Sequence, residues 1–321
     1  MRPRLIFLHG IGGPRVPAEE LMLWSKALAA GAYRSGHSLF AAGLEKGQLD
    51  RTSFVYYGDL FQASQAQGGD GLNLAEEENA ILAGIFLALI DAQLAEGPGE
   101  RERRVLEHAR AQVVPDGQPQ GAGSFMRMTV NVATTLLSLP MVRRGGQWIG
   151  PKLMVRDLAQ VARYLARGEA DPEGRTLDQR IRARLAGALD DGPAVVVAHS
   201  LGSVVAFEAL HERPAAIPLL VTLGSPIAMR AVVWPRLVPQ PPRTPETVGR
   251  WLNFWDRDDV VTARPRLEGD ILPSSSGIRV ASCRVDSDGL WVHPATTYLA
   301  TSGVAGPIAE AMTMSAPLPP P

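Results

Sequence analysis

The stretch AVVVAHSLGSVVAFEAL, residues 194–210, carries the strongest structural signal in the chain. It opens with a run of valines after Asp-Gly-Pro, which predicts a strand buried on both faces of a parallel sheet. Residues 203–210 have apolar side chains at helical spacing. Between these halves, Ala198-His199-Ser200-Leu201-Gly202 must turn a strand directly into a helix, and the small residues on either side of Ser200 permit so tight a turn. Ser200 is therefore expected on a strained corner at the carboxyl edge of the sheet.

The composition is that of an ordinary soluble globular protein. The chain has 321 residues, of which 45% are hydrophobic and 20% charged, enough for a large core. A net charge of -1 gives no reason to expect nucleic acid as a partner. Cys283 is the only cysteine, which excludes an internal disulfide and a multi-cysteine metal site. No secretory signal pattern and no apolar run of about 18 residues is present, so we expect a cytoplasmic protein without a transmembrane segment.

The segments around this stretch alternate between strands and helices. Strands are predicted, in chain order, at residues 4–8, 53–57, 194–199, 218–223, 250–255 and 278–285. Helices are predicted at residues 18–33, 177–189 and 296–314, the last with a break near residues 303–307. This order predicts an α/β fold with a mostly parallel central sheet flanked by helices. Residues 1–314 would form a single domain, followed by a disordered, proline-rich tail at residues 315–321.

A large helical insertion, at about residues 60–167, precedes the strand that leads to Ser200. In one interpretation its helices are additional packing elements with a buried apolar face. In the other it forms a lid over Ser200 and presents apolar side chains to an acyl chain. Methionine and leucine suit such a surface because they adapt to irregular ligands. The residues offered would be Phe125, Met126, Met128, Leu136 and Leu137.

A serine at such a corner needs a base, and histidine is the usual one because its pKa lies near the working pH. Of the six histidines, His293 lies in the loop after the last strand, just before the closing helix. A carboxylate would have to orient that histidine. The loop after residues 250–255 offers three candidates, namely Asp256, Asp258 and Asp259.

These segments resemble the α/β-hydrolase superfamily, in particular its lipase-like and esterase-like serine hydrolases. The resemblance rests on the small-x-Ser-x-Gly nucleophile elbow, in which Ala198 replaces the commoner glycine. It also rests on three shorter motifs, namely His9-Gly10 after the first strand, Gly224-Ser225-Pro226 after the fourth, and the N-x-W-D-x-x-D-x-V string from Asn253 to Val261. It covers roughly residues 4–57 and 177–314, but not the insertion.

The resemblance implies a catalytic triad of Ser200, His293 and Asp259. Asp258 remains a rival for the acid, because a one-residue slip in the motif would select it. An oxyanion hole is implied at the backbone amides of Ile11 and Leu201. Neither amide depends on side-chain identity, so the sequence supports these two by position only.

The expected activity is hydrolysis of a small-molecule or lipid-like carboxylic ester through an acyl-enzyme, with no metal and no organic cofactor. A thioesterase, a peptidase or an acyltransferase would use the same triad. A non-catalytic binding protein on this fold is a further class, although the serine, the histidine and the acid are all present.

Overall fold

The described part of the chain is built on one sheet of six parallel strands. The computed structural model describes residues 3–47, 51–63, 74–113, 122–140, 142, 148–189, 192–262, 265–287 and 291–313. The strands are β1 Arg4–Leu8, β2 Thr52–Val55, β3 Ala194–His199, β4 Leu219–Leu223, β5 Trp251–Asp256 and β6 Val280–Val285. Their order across the sheet is β2-β1-β3-β4-β5-β6, and every neighbouring pair is parallel. The predicted α/β class and parallel sheet are confirmed.

Helices flank the sheet on both sides. Those before β3 are α1 Pro17–Arg34, α2 Ser38–Glu45, α3 Gly58–Ala63, α4 Glu76–Ala95, α5 Glu100–Val113, α6 Ala122–Leu137, α7 Pro151–Ala166 and α8 Leu177–Ala188. Those after β3 are α9 Leu201–Glu212, α10 Ala295–Leu299 and α11 Ser302–Thr313, with short 3-10 turns at Trp234–Arg236 and Val260–Thr262.

The two faces of the sheet bury separate apolar clusters. Since side chains alternate along a strand, Leu5 and Phe7 of β1 point to one face, and Ile6 and Leu8 to the other. The first face is covered by α1, α2, α10 and α11, and the second by α4 to α9. β1 therefore leads to a helix on one face, whereas β3, its neighbour, leads to a helix on the other. Such a divergence of connections opens a crevice at the carboxyl ends of the two strands, where parallel α/β sheets bind ligands.

The insertion packs on the second face. Helices α4 to α7 share one apolar cluster with β1, β3 and β4. Helix α4 is long and apolar enough to cross a membrane by length and composition alone. In the structure it packs against α5 and α7 and buries Ile81, Leu82, Ile85, Phe86 and Ile90. The absence of a transmembrane segment stays a prediction.

Three details differ from the sequence prediction. No helix was predicted for the residues of α2, which buries Phe40, Ala41 and Leu44 against α1. None was predicted for those of α3 either. The closing helix breaks at residues 300–301 rather than near residues 303–307, and Pro307 lies inside α11. The predicted tail at residues 315–321 lies outside the described residues.

Candidate active site

Ser200 occupies a strained backbone position between β3 and α9. Its φ is 52° and its ψ is -127°, a region that costs a residue with a Cβ of the order of 1–3 kcal/mol. Two backbone hydrogen bonds hold it there, since the Ser200 N–H donates to Leu223 O at 2.9 Å and the Ser203 N–H donates to Ser200 O at 2.9 Å. The sharp turn predicted from residues 198–202 is present.

A chain of hydroxyl groups ties the Gly-Ser-Pro turn after β4 to this corner. The Ser203 hydroxyl donates to Ser200 O at 2.6 Å and lies 2.7 Å from the Ser225 hydroxyl. Because the Ser203 proton is committed to Ser200 O, Ser225 is the donor in that second contact. The Ser225 oxygen in turn accepts the Ile227 N–H at 3.3 Å. Two neighbouring strand ends thus fix the conformation of Ser200 together.

His293 and Asp259 form a buried pair. Nδ1 of His293 lies 2.8 Å from Oδ2 and 3.0 Å from Oδ1 of Asp259, and both side chains are fully buried. The carboxylate also accepts the Val261 N–H at 3.0 Å and the Tyr298 hydroxyl at 2.7 Å. Asp258 is exposed, and its backbone N–H donates to Oδ1 of Asp256 at 2.9 Å. The structure therefore brings Asp259 to His293, and not its rival Asp258.

The imidazole of His293 presents its second nitrogen as a free acceptor. A carboxylate can only accept, so Nδ1 carries a proton, and in the neutral imidazole Nε2 is then the acceptor. Nε2 is buried and has no hydrogen-bond partner among the described residues. Gly224 leaves room for the pair, because a Cβ there would lie 2.7 Å from Asp259 Oδ2 and 3.1 Å from His293 Nδ1. Its φ of +54° also favours glycine.

His199, the residue before Ser200, forms a hydrogen bond with the backbone of the loop that carries His293, here called the histidine loop. Its Nε2–H donates to His293 O at 2.6 Å, and the two imidazole rings lie 4.6 Å apart. Burial and the neighbouring His293 keep the pKa of His199 well below its ordinary value, so the ring is neutral. The side chain next to the serine therefore joins the end of β3 to the loop that carries His293.

The glycine-rich loop after β1 runs directly beside Ser200. A Cβ on Gly10 would lie 2.5 Å from Ser200 Cβ and 3.1 Å from its Oγ, so only glycine fits. The Gly10 carbonyl accepts a hydrogen bond from Nδ1 of His9 at 2.6 Å. In a trans peptide the N–H points opposite to the C=O. The Ile11 N–H therefore points away from His9, while the Leu201 N–H opens helix α9 immediately after Ser200.

Tyr57 fixes His9 in turn. The Tyr57 N–H donates to Nε2 of His9 at 3.2 Å, and its hydroxyl donates to His9 O at 2.6 Å. Nδ1 of His9 must then carry the proton that bonds Gly10 O. Burial, assisted by the charge of Arg15, lowers the pKa of His9 to about 3. A neutral imidazole with one defined tautomer thus orients the peptide that precedes Ile11.

A cavity of about 360 Å³ lies between the insertion and the histidine loop. It is lined by Thr134, Leu137, Ser138, Trp148, Ile149, Gly150, Pro151 and Trp291. Trp291 stands two residues before His293 and is half-exposed, and Ile149 is 84% exposed. Of the side chains proposed for an acyl-binding surface, Leu137 lines this cavity. Leu136 is buried in the core, and Phe125, Met126 and Met128 pack against it.

Several residues of the site were not anticipated from the sequence. The sequence assigned no role to Tyr298, His199 or Ser203, because none of them belongs to a local motif with a function of its own. No group of three or more His, Cys, Asp or Glu side chains in the described ranges is arranged to hold a metal ion. The expectation of a site without metal or cofactor stays a prediction.

Comparisons with known proteins gave no relative. No family model, no curated protein and no solved structure matches the chain. The arguments about function therefore rest on the geometry of the site itself.

Proposed function

We propose that the protein is a serine hydrolase of the α/β-hydrolase type that cleaves carboxylic esters through an acyl-enzyme. One observation carries the proposal: the buried Asp259 carboxylate holds Nδ1 of His293, whose Nε2 has no hydrogen-bond partner in the part of the chain that the structure describes. This pair lies against the end of the strand whose next residue is the strained Ser200. A base with one free lone pair beside a serine corner is the arrangement that acyl transfer needs.

The proposed chemistry assigns each of the three residues one role. His293 Nε2 takes the proton of the Ser200 hydroxyl while Oγ attacks the carbonyl carbon of the ester. The tetrahedral intermediate collapses, the C–O bond to the alcohol breaks, and His293 returns the proton to the leaving alcohol. His293 Nε2 then takes a proton from water, whose oxygen attacks the acyl carbonyl carbon. The bond from that carbon to Oγ breaks, the carboxylic acid leaves, and Nε2 returns the proton to the Ser200 oxygen. Asp259 fixes the tautomer throughout and stabilises the imidazolium.

The proposed oxyanion hole uses the N–H groups of Ile11 and Leu201. What supports it is the contact of Gly10 with Ser200 and the fixed carbonyl of Gly10, which commits the Ile11 N–H to the opposite side. The first N–H of a helix has no partner within the helix, so Leu201 offers a second donor at the same corner. Two such donors stabilise the developing negative charge of the intermediate.

We further propose that the insertion binds the acyl part of the substrate in the cavity beside Trp291. Its apolar lining, from Leu137, Trp148, Ile149 and Trp291, is what such a group requires. As a lid over Ser200, the insertion would also limit bulk solvent at the site, which strengthens the electrostatic interactions made there.

Labelling with a fluorophosphonate probe tests the assignment of the nucleophile. Wild type should react at one site, and Ser200→Ala should abolish the reaction, because the probe forms a covalent bond only with an activated serine. Ser35→Ala, which removes a hydroxyl that donates to Ala32 O in the last turn of α1, is the matched control and should label as wild type does. Labelling of Ser200→Ala at the wild-type level would contradict the proposal.

A series of p-nitrophenyl esters of increasing acyl length tests the substrate class. If the cavity binds the acyl group, kcat/KM should peak at one chain length. Indifference to chain length would count against the acyl-binding role. Cleavage of thioesters or peptides in preference to these esters would move the protein to one of the related hydrolase classes.

A further inference from the structure

Gln160, on helix α7 of the insertion, forms two hydrogen bonds with the backbone of the loop after β1. Its Oε1 accepts the Gly12 N–H at 3.1 Å, and its Nε2 donates to Gly12 O at 2.9 Å. One side-chain amide thus satisfies both polar groups of a residue 148 positions away in the sequence, much as a neighbouring strand would. Gln160 is 7% exposed, so both bonds form away from bulk solvent and are costly to lose.

The N–H that Gln160 binds belongs to the peptide group between Ile11 and Gly12. Its N–H belongs to Gly12 and is bound by Gln160, and its C=O belongs to Ile11 and accepts the Arg15 guanidinium at 3.2 Å. The preceding peptide, which carries the Ile11 N–H, is held through its carbonyl by His9. With both flanking peptide planes fixed, the loop has little freedom left to turn the Ile11 N–H away from the site.

Gln160 also determines which backbone N–H of the loop is available to bind a ligand. The Gly12 N–H is engaged and cannot serve a ligand, whereas the Ile11 N–H has no hydrogen-bond acceptor among the described residues. An insertion residue therefore selects the donor as well as orienting it.

We infer that Gln160 is a positioning residue for the oxyanion hole, through which the insertion sets the rate of acyl transfer. The inference rests on the proposed hydrolase function. It makes the insertion a part of the catalytic apparatus, because any displacement of α7 relative to β1 would release Gly12 and misalign the Ile11 donor. Gln160 itself touches no reacting atom and acts through the Ile11–Gly12 peptide.

The decisive experiment compares Gln160→Met with wild type in steady-state ester hydrolysis. Methionine has a similar length and volume but neither bonds the Gly12 N–H nor donates to its carbonyl. Removal of an oxyanion donor outright costs about 10²–10³ in kcat. For a donor that is present but loosely held we expect kcat to fall by roughly 10- to 100-fold, and KM to change by less than about 3-fold. Gln112→Met, on α5 and without contact to this loop, is the matched control and should keep the wild-type kcat.

A second readout separates positioning from a general loss of structure. An alkyl boronic acid forms a tetrahedral adduct with an active serine, so its inhibition constant should weaken by the same factor as kcat/KM falls. Fluorophosphonate labelling should still go to completion. If Gln160→Met does not fold, Gln160→Glu is used instead, since it keeps an acceptor for the Gly12 N–H and loses the donor to Gly12 O.

The outcomes distinguish the two proposals. Wild-type protein that neither labels nor hydrolyses esters would overturn the hydrolase function, and the role of Gln160 with it. An active wild type with an unchanged kcat in the Gln160 variants would overturn the positioning role alone. So would a parallel fall in kcat and thermal stability without any weakening of the boronic acid.

Discussion

The Asp259 carboxylate receives hydrogen bonds from three groups that belong to three different segments. His293 approaches from the loop after β6, Tyr298 from α10 and the Val261 N–H from the 3-10 turn after β5. The Tyr298 hydroxyl also accepts the Asp256 N–H at 3.0 Å, so it cannot swing away. Burial and the Asp259 charge raise the pKa of Tyr298 well above its ordinary value, which keeps it a donor at every working pH.

Exchange of this carboxylate for an amide tests its role in isolation. Asp259→Asn can donate to Nδ1 instead of accepting from it, which favours the tautomer with the proton on Nε2 and disables the base. We expect kcat/KM for esters to fall by about 10³- to 10⁴-fold. Asp258→Asn is the matched control, because its side chain is exposed, and it should lose less than about 2-fold in the same assay. Equal losses in the two variants would contradict the assignment of Asp259.

A buried cluster of charged side chains, centred on Glu208, joins the insertion to helix α9, which follows Ser200. Glu208 of α9 accepts the Tyr164 hydroxyl of α7 at 2.7 Å and the Arg167 guanidinium at 2.6 Å. It also accepts Arg182 of α8 at 3.1 Å, and Arg182 pairs with Asp178 at 2.7 Å. Burial of such charges is tolerated only when every one is paired. The cluster therefore specifies how α7, α8 and α9 dock.

Loss of the Glu208 charge should destabilise the fold without disabling the site. Glu208→Gln removes one of the carboxylates that Arg167 and Arg182 share, while Asp178 still pairs with both at 2.7 Å. We therefore expect the loss of charged hydrogen bonds alone, about 1.5–3 kcal/mol. Urea unfolding would measure this loss as a lower midpoint. Glu208 lies about 12 Å along α9 from Ser200, so kcat of the folded fraction should stay within about 3-fold. Glu212→Gln, half-exposed and paired with Arg182 at 2.8 Å, is the control, with an expected loss below about 1 kcal/mol.

The sequence predicted best those elements whose residues are all buried and therefore nearly all apolar. The inner strands β3 and β4 are buried throughout and consist almost wholly of apolar residues, and such runs have one plausible use in an α/β chain. Helix α2 was not predicted because eight residues are too few to show a helical periodicity. Pro307 suggested a break in the closing helix, whereas the real interruption at residues 300–301 has no proline or glycine to mark it.

For the whole molecule, the sequence could predict the order of the site residues along the chain but not their contacts. The choice between Asp258 and Asp259 depends on which of two adjacent side chains turns inward, and only the packing of β5 decides it. His9, His199 and Gln160 act through backbone groups that are remote in sequence. Such contacts leave no motif, because any residue that presents the same polar atoms would serve.

Two of these residues, His9 and His199, also make the stability of the whole protein depend on pH. Both rings are buried and neutral, and burial lowers their pKa values, that of His9 from 6.5 to about 3. In the unfolded chain each would take up a proton near pH 6.5, so between pH 6.5 and about 3 the unfolded state binds more protons. The stability that the two rings provide is fully present above pH 6.5 and is lost as the pH falls through that range.

His9 alone should make the free energy of unfolding fall by about 1.4 kcal/mol per pH unit in this range, and His199 acts in the same direction. Urea titrations between pH 7 and pH 4.5 would measure the slope. His9→Gln should make it shallower by about that amount, although the variant is less stable at pH 7 because the bonds to Gly10 and Tyr57 are lost. His108→Gln removes an exposed imidazole from α5 and is the matched control. A His9→Gln slope as steep as that of His108→Gln would show that His9 is not held neutral, and the oriented Gly10–Ile11 peptide would lose its physical basis.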